Sequence, residues 1–183
     1  GDDCIAIKSG RNEDGRRVGI PSENIVVEDC MMKDGHGGVV MGSEISAGVR
    51  NVVVLNCQMD SPNLDRAIRI KTNTMRGGFV DGLYVKNIQV GQVKEAVLKI
   101  NTFYGHYGTQ NGEFIPEIQN IYFENVTADN GGKYGILIKG RPEAKIKNIH
   151  FDNVNIKNSK KAPVIEHAEP IKLVSSFIPN MTE

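Results

Sequence analysis

The chain alternates apolar and polar positions in short runs, and the runs repeat. Five segments align: NIVVEDC from Asn24, NVVVLNC from Asn51, GLYVKNI from Gly82, NIYFENV from Asn120 and NIHFDNV from Asn148. Their starts lie 27, 31, 38 and 28 residues apart. Each reads as a strand with one apolar face. The second position holds Ile25, Val52, Leu83, Ile121 and Ile149. The fourth holds Val27, Val54, Val85, Phe123 and Phe151, and the seventh holds Cys30, Cys57, Ile88, Val126 and Val154. The sixth is a polar column of Asp29, Asn56, Asn87, Asn125 and Asn153. A second family of strands lies between these, at 4–10, 38–44, 67–73, 97–102 and 135–140. Its expected inward pairs are Ile5/Ile7, Val39/Met41, Ile68/Ile70, Leu98/Ile100 and Ile136/Ile138. No stretch inside a period reads as an amphipathic helix.

A period near 30 residues with two strands suits a leucine-rich repeat, a propeller blade or a coil of parallel β-helix. Composition decides among them. Leu occurs six times and Trp not at all, which removes the first two. Val and Ile number 38 against 14 for Leu and Ala together, which favours strands over helices. In a parallel β-helix, equivalent residues of successive coils stack about 4.8 Å apart, so like falls on like. The Asn column then predicts a ladder of side-chain amides at a turn that tolerates left-handed backbone. The expected fold class is therefore all-β, a single-stranded parallel β-helix, with residues 1–183 forming one partial domain of about five to six coils. Cys30 and Cys57 fall in the inward column, and all three cysteines (Cys4 included) are expected to be plain core thiols.

Chemistry concentrates in three ordered segments. GDDCIAIKSG sets Asp2 and Asp3 side by side, and adjacent carboxylates resist joint ionisation, so one can keep a proton. In the stacked register His36, in DGHGGVVMGSE, lies one coil further on. The flanking Gly35, Gly37 and Gly38 are expected to let a ligand approach the backbone. In AIRIKTN the inward Ile68 and Ile70 turn Arg69 and Lys71 outward together. The alternative is two solvated charges on a strand. Acids, an imidazole and two cations in a row along one face suit an anionic polymer, and paired carboxylates point to glycoside hydrolysis.

These three segments, in this order, resemble the signatures of glycoside hydrolase family 28, the polygalacturonases and their pectin-degrading relatives. The resemblance implies a right-handed β-helix and inverting hydrolysis of α-1,4-galacturonan. It assigns Asp2 as general acid, Asp3 as one carboxylate activating water and His36 as support for the acid. It gives Arg69 and Lys71 to substrate carboxylates, and Tyr104, with Tyr107 second, to a subsite. No cofactor and no metal are implied. The family's Asn-Thr-Asp motif, expected one coil before the Asp pair, does not occur in these residues. With no initiator Met, the chain reads as part of a longer protein whose N-terminal coils are absent here, and the fragment alone is expected to be inactive.

The longest period carries its excess in residues 102–116, an aromatic, Gly-rich loop that either shapes subsites or is an ordinary insertion. Net charge is zero, with 22 basic and 22 acidic residues, so nothing favours nucleic acid or an anionic membrane. The expected partner is an acidic polysaccharide (galacturonan or pectin) met by a monomer. No apolar run approaches the ~20 residues of a membrane span. Polymeric substrate implies a secreted or periplasmic location. Asn125-Val-Thr fits a glycosylation acceptor. Competing functions are a relative acting on rhamnogalacturonan, a non-catalytic polysaccharide-binding β-helix, and a Ca²⁺-dependent pectate lyase, for which no acidic cluster is evident.

Overall fold

The computed structural model describes residues 2–105 and 112–181. Its strands are β1 (Ile5–Ile7), β2 (Ser22–Glu28), β3 (Met31–Met32), β4 (Val39–Gly42), β5 (Val49–Leu55), β6 (Gln58–Met59) and β7 (Arg66–Lys71). They continue as β8 (Phe79–Gln92), β9 (Ala96–Asn101), β10 (Glu117–Asn130), β11 (Gly135–Lys139), β12 (Lys147–Ile156), β13 (Val164–Glu166) and β14 (Lys172–Val174). One helix, α1 (Asn12–Val18), follows β1.

Alternate strands go to alternate sheets. One sheet runs β1-β4-β7-β9-β11-β13 and the other β2-β5-β8-β10-β12-β14, with every pair parallel. The molecule is thus a right-handed parallel β-helix. The expected columns are the observed registers. Ile25 pairs with Val52, Val52 with Leu83, Leu83 with Ile121 and Ile121 with Ile149. In the other sheet Ile7 stands on Met41, Met41 on Ile70, Ile70 on Ile100 and Ile100 on Ile138. Most of these side chains are buried completely, and each contributes about 1.5–3 kcal/mol by leaving water.

The Asn column forms the expected ladder. Asn87 Nδ2 donates to Asn56 Oδ1 (3.1 Å), Asn125 to Asn87 (3.2 Å) and Asn153 to Asn125 (2.9 Å). Asp29 and the four Asn residues all take φ between 52° and 55°, which turns the strand without ending it. A second ladder starts each repeat, where Asn51 donates to Asn24 at 3.2 Å and Asn120 donates to Asp81 at 2.6 Å, beside Gly82. Asn125, in the candidate acceptor triplet, is exposed and bonded within this ladder on both sides.

The C-terminal stretch supplies β14 against β12 and buries Ile178. Two expectations change. Cys57 is buried and Cys30 half-buried, but Cys4 is exposed in these residues. Helix α1 has no apolar stripe to announce it. Its acids Glu13 and Asp14 sit in the first turn and Arg16 and Arg17 in the last, which suits the helix dipole, and Gly19 ends it in the left-handed conformation. Among the described residues no helix is long and apolar enough to cross a membrane.

Candidate active site

The repeat carries six of the sequence-predicted site residues to one face. Asp2 and Asp3 precede β1, His36 lies in the turn before β4, Arg69 and Lys71 sit on β7, and Tyr104 follows β9. All six line one cleft of about 540 Å³. Because neither Asp belongs to a strand, both can turn to the same side, as two neighbours on a straight strand cannot. Tyr107 lies outside the described residues.

The two carboxylates live in different surroundings. Asp2 is 82% exposed, and its Oδ1 lies 2.8 Å from His36 Nδ1. The hydrogen bond from His36 is the largest influence on Asp2 and holds its carboxyl below the ordinary range. Asp3 is 5% exposed, with Lys71 Nζ at 2.7 Å from Oδ2 and an Arg69 guanidinium nitrogen 3.9 Å from Oδ1. Burial comes first among the causes that lower the Arg69 and Lys71 pKa values.

The expected linear row is thus a cluster. Arg69 and Lys71 are not solvated charges: they are 8% and 6% exposed and reach back over the intervening coil to Asp3. The register explains the reach, because Lys71 stands on Gly42, which offers no side chain in its path. A Cβ at Gly42 would meet the Lys71 carbonyl oxygen at 1.9 Å. The glycines around His36 act differently from expectation. Gly35, Gly37 and Gly38 are buried, and a Cβ on Gly35 would meet the Asp2 carbonyl oxygen at 2.5 Å, so they serve close packing of coils rather than ligand access.

Tyr104 lies over both cations, its ring centroid 5.5 Å from the Arg69 guanidinium carbon and 5.4 Å from Lys71 Nζ. Its backbone is tied to the turn after β7, where its N–H donates to the Thr72 carbonyl (3.0 Å) and its carbonyl accepts from Asn73 Nδ2 (2.8 Å). The same turn anchors the far end of the loop, since the Phe114 N–H donates to the Thr74 carbonyl at 3.0 Å. Described parts of the 102–116 insertion therefore border the cleft.

Sequence reasoning missed Lys8, Arg11, Ser43, Glu44, Met75 and Arg76, which also line the cleft. Strand parity was a usable signal for Lys8, two residues past the cleft-lining Ala6. Arg11 and Arg76 lie on turns, where parity carries no information. Among the lining residues, five cations (Lys8, Arg11, Arg69, Lys71, Arg76) oppose three carboxylates (Asp2, Asp3, Glu44), so the cleft is positive although the chain is neutral.

Behind Arg69 lies a second charged network. Arg66 pairs with Glu95 and donates to the His36 carbonyl at 3.2 Å, and Lys99 Nζ lies 2.6 Å from Glu95 Oε1. Burial alone would raise the Glu95 pKa, but the hydrogen bond from Lys99 and the charge of Arg66 outweigh it and hold the group below its usual range. A depressed carboxyl pKa stabilises the fold above its unfolded value, about 4, and that contribution is lost as pH falls through the folded value. Urea unfolding between pH 6 and pH 3 is therefore expected to show stability declining with acid, and less steeply in Glu95→Gln. An equal slope in the variant would remove Glu95 from the acid limb.

Among the described residues, the one trio of acidic or imidazole groups close enough for a metal is Asp2, Asp3 and His36, with donor atoms within 4.8 Å of one another. The set does not fit a cation. Asp2 is engaged by His36, and Asp3 already faces two positive side chains.

Comparisons with known proteins show the family. Residues 1–175 match the family model for glycosyl hydrolases family 28. The chain is 31% identical over 132 residues to a probable polygalacturonase of Vitis vinifera, covering 71% of this chain and 26% of that protein. It is 29% identical over 127 residues to a polygalacturonase of Ralstonia solanacearum, covering 68% and 22%. The crystal structure of a hyperthermoactive exopolygalacturonase from Thermotoga maritima superposes with a TM-score of 0.85 at 37% identity, over 95% of this chain and 39% of that one. The chain thus spans about a quarter of the length of these curated relatives. With the matched family model, the parallel coils and the clustered carboxylates in accord, the chain belongs to glycosyl hydrolases family 28.

Proposed function

We propose that the protein to which this chain belongs hydrolyses α-1,4 bonds of polygalacturonate, with the cleft described above as part of its active site. The observation that carries the reading is the unequal pair of carboxylates. Asp2 is exposed to a ligand and touches an imidazole, whereas Asp3 is buried against two cations. Two carboxyls in opposite environments suit two roles. Asp2 protonates the leaving glycosidic oxygen. Entry of a galacturonate removes water and adds negative charge beside Asp2, and both raise its pKa toward that task. His36 then returns a proton through the 2.8 Å contact.

Asp3 orients and deprotonates the attacking water. In this reading the water is shared with a carboxylate from an Asn-Thr-Asp motif that these 183 residues lack. Arg69 and Lys71 meet the substrate carboxylate, and the Tyr104 ring covers them. No metal takes part, one β-helix domain acts as a monomer, and a polymeric substrate places the protein outside the cytoplasm.

The test uses the full-length protein on polygalacturonate and on rhamnogalacturonan, with products followed by reducing-end assay and by NMR of the new anomeric centre. Release from polygalacturonate with inverted configuration is expected. Retained configuration would overturn the water-mediated step. Cleavage of rhamnogalacturonan alone would overturn the substrate. Unsaturated products absorbing in the ultraviolet would overturn hydrolysis.

A further inference from the structure

Charge is not evenly spread within the cleft. Lys71 is hydrogen-bonded to Asp3 at 2.7 Å, with Arg69 at 3.9 Å from the same carboxylate, and Asp2 is engaged by His36. The surplus positive charge sits on the remaining wall, built by β1, the start of α1 and the turn after β7. There Lys8 Nζ lies 3.1 Å from Glu44 Oε2, and Arg11 Nε lies 4.0 Å from Glu44 Oε1. Three cations face one carboxylate, and the Arg11 contact is at the outer limit of an ion pair.

Arg76 is the informative member. It is 9% exposed, and its Nε is buried without a hydrogen-bond partner. Its Nη1 donates to Asn12 Oδ1 at 2.5 Å, at the first residue of α1. Its backbone is fixed from both sides: the N–H donates to Asn73 Oδ1 (3.0 Å), and the carbonyl accepts from Arg16 NH1 (3.1 Å). Arg16 itself lies 3.5 Å over the Phe114 ring, which joins α1 to the 102–116 insertion. The guanidinium is thus held in place on the wall of the cleft, which it lines.

We propose that Arg11 and Arg76, with Lys8 and the counter-charge Glu44, form a second carboxylate-recognition site in the cleft. It takes the carboxylate of a uronate unit other than the one met by Arg69 and Lys71. The site rests on the acidic-polysaccharide reading given above. Apart from Glu44, its charged groups are donors, whereas a site for neutral sugar hydroxyls needs acceptors as well. Two guanidinium forks match a carboxylate bidentately, and Glu44 holds Lys8 and Arg11 in place until the substrate carboxylate competes for them.

The test measures binding of trigalacturonate to the full-length protein by calorimetry, with turnover followed in parallel. Arg11→Ala removes a largely exposed side chain, and Arg76→Lys keeps the charge but loses the fork, so neither depends on a gross change in folding. Each is expected to weaken binding about tenfold. Glu44→Gln, which removes the competitor, is expected to tighten it. Unchanged affinity in both arginine variants overturns the site, as does weaker binding in Glu44→Gln or no binding by the unaltered protein. Binding without turnover, with the arginine variants weakened, overturns the hydrolase reading and leaves this site standing.

Discussion

Asp2→Asn and Asp3→Asn are both expected to lower kcat on polygalacturonate by about 10²–10⁴-fold, the usual scale for losing a general acid or base, yet to differ in everything else. The side chain of Asp2 has one ion-pair contact in these residues, with His36, so its amide variant is expected to unfold in urea within about 1 kcal/mol of the unaltered protein. Asp3 is 5% exposed and faces cations that are themselves 9% and 8% exposed at the side chain. Breaking a buried pair from one side costs about 3–5 kcal/mol, because the remaining charge is left without compensation. Asp3→Asn is therefore expected to lose stability of that order while binding galacturonate more tightly, since Lys71 and Arg69 are released to the ligand. Measured kcat, KM and urea midpoints on the full-length variants separate these effects. Asp2→Asn retaining kcat within a few-fold would remove Asp2 as the acid. Asp3→Asn unfolding like the unaltered protein would contradict the buried cluster. A non-catalytic binding module would show no turnover to lose.

The second large effect lies in the stack. Phe123 is 2% exposed, sits in register with Val85 and Phe151, and has its ring centroid 5.2 Å from that of Phe151. Phe123→Ala leaves a cavity that β-helix coils cannot close without breaking register, so a loss of about 3–5 kcal/mol is expected. Phe151→Ala should cost a similar amount. Because the rings touch, the double variant should cost less than the sum of the two. Urea unfolding of the three variants checks this. Strict additivity would show that the rings do not act as one packed unit.

Much of this architecture was legible from period and parity. The columns from Ile25 to Ile149 and from Val27 to Phe151 are the observed registers, because inward side chains of a stacked coil have neighbours of their own kind above and below. The Asn56–Asn153 ladder was equally legible, since few residue types combine left-handed backbone with an amide that bonds along the stack. The order of the three motifs located the cleft and six of its residues.

The electrostatic character of the site was not legible. Sequence spacing put Arg69 and Lys71 two coils away from the acids; whether they point at substrate or at Asp3 depends on how far a long side chain travels over Gly42. Helix α1 has no periodic stripe, because its contacts come from single residues such as Arg16 on Phe114 rather than from an apolar face. It brings Arg11 to the cleft wall and, through Asn12, fixes Arg76. By itself the sequence determined the repeat, the core and the order of the chemical groups, because those follow from local alternation and a fixed coil length. Only the tertiary structure decided which charges meet, because that depends on turn geometry and side-chain reach between residues as far apart as Asp3 and Lys71.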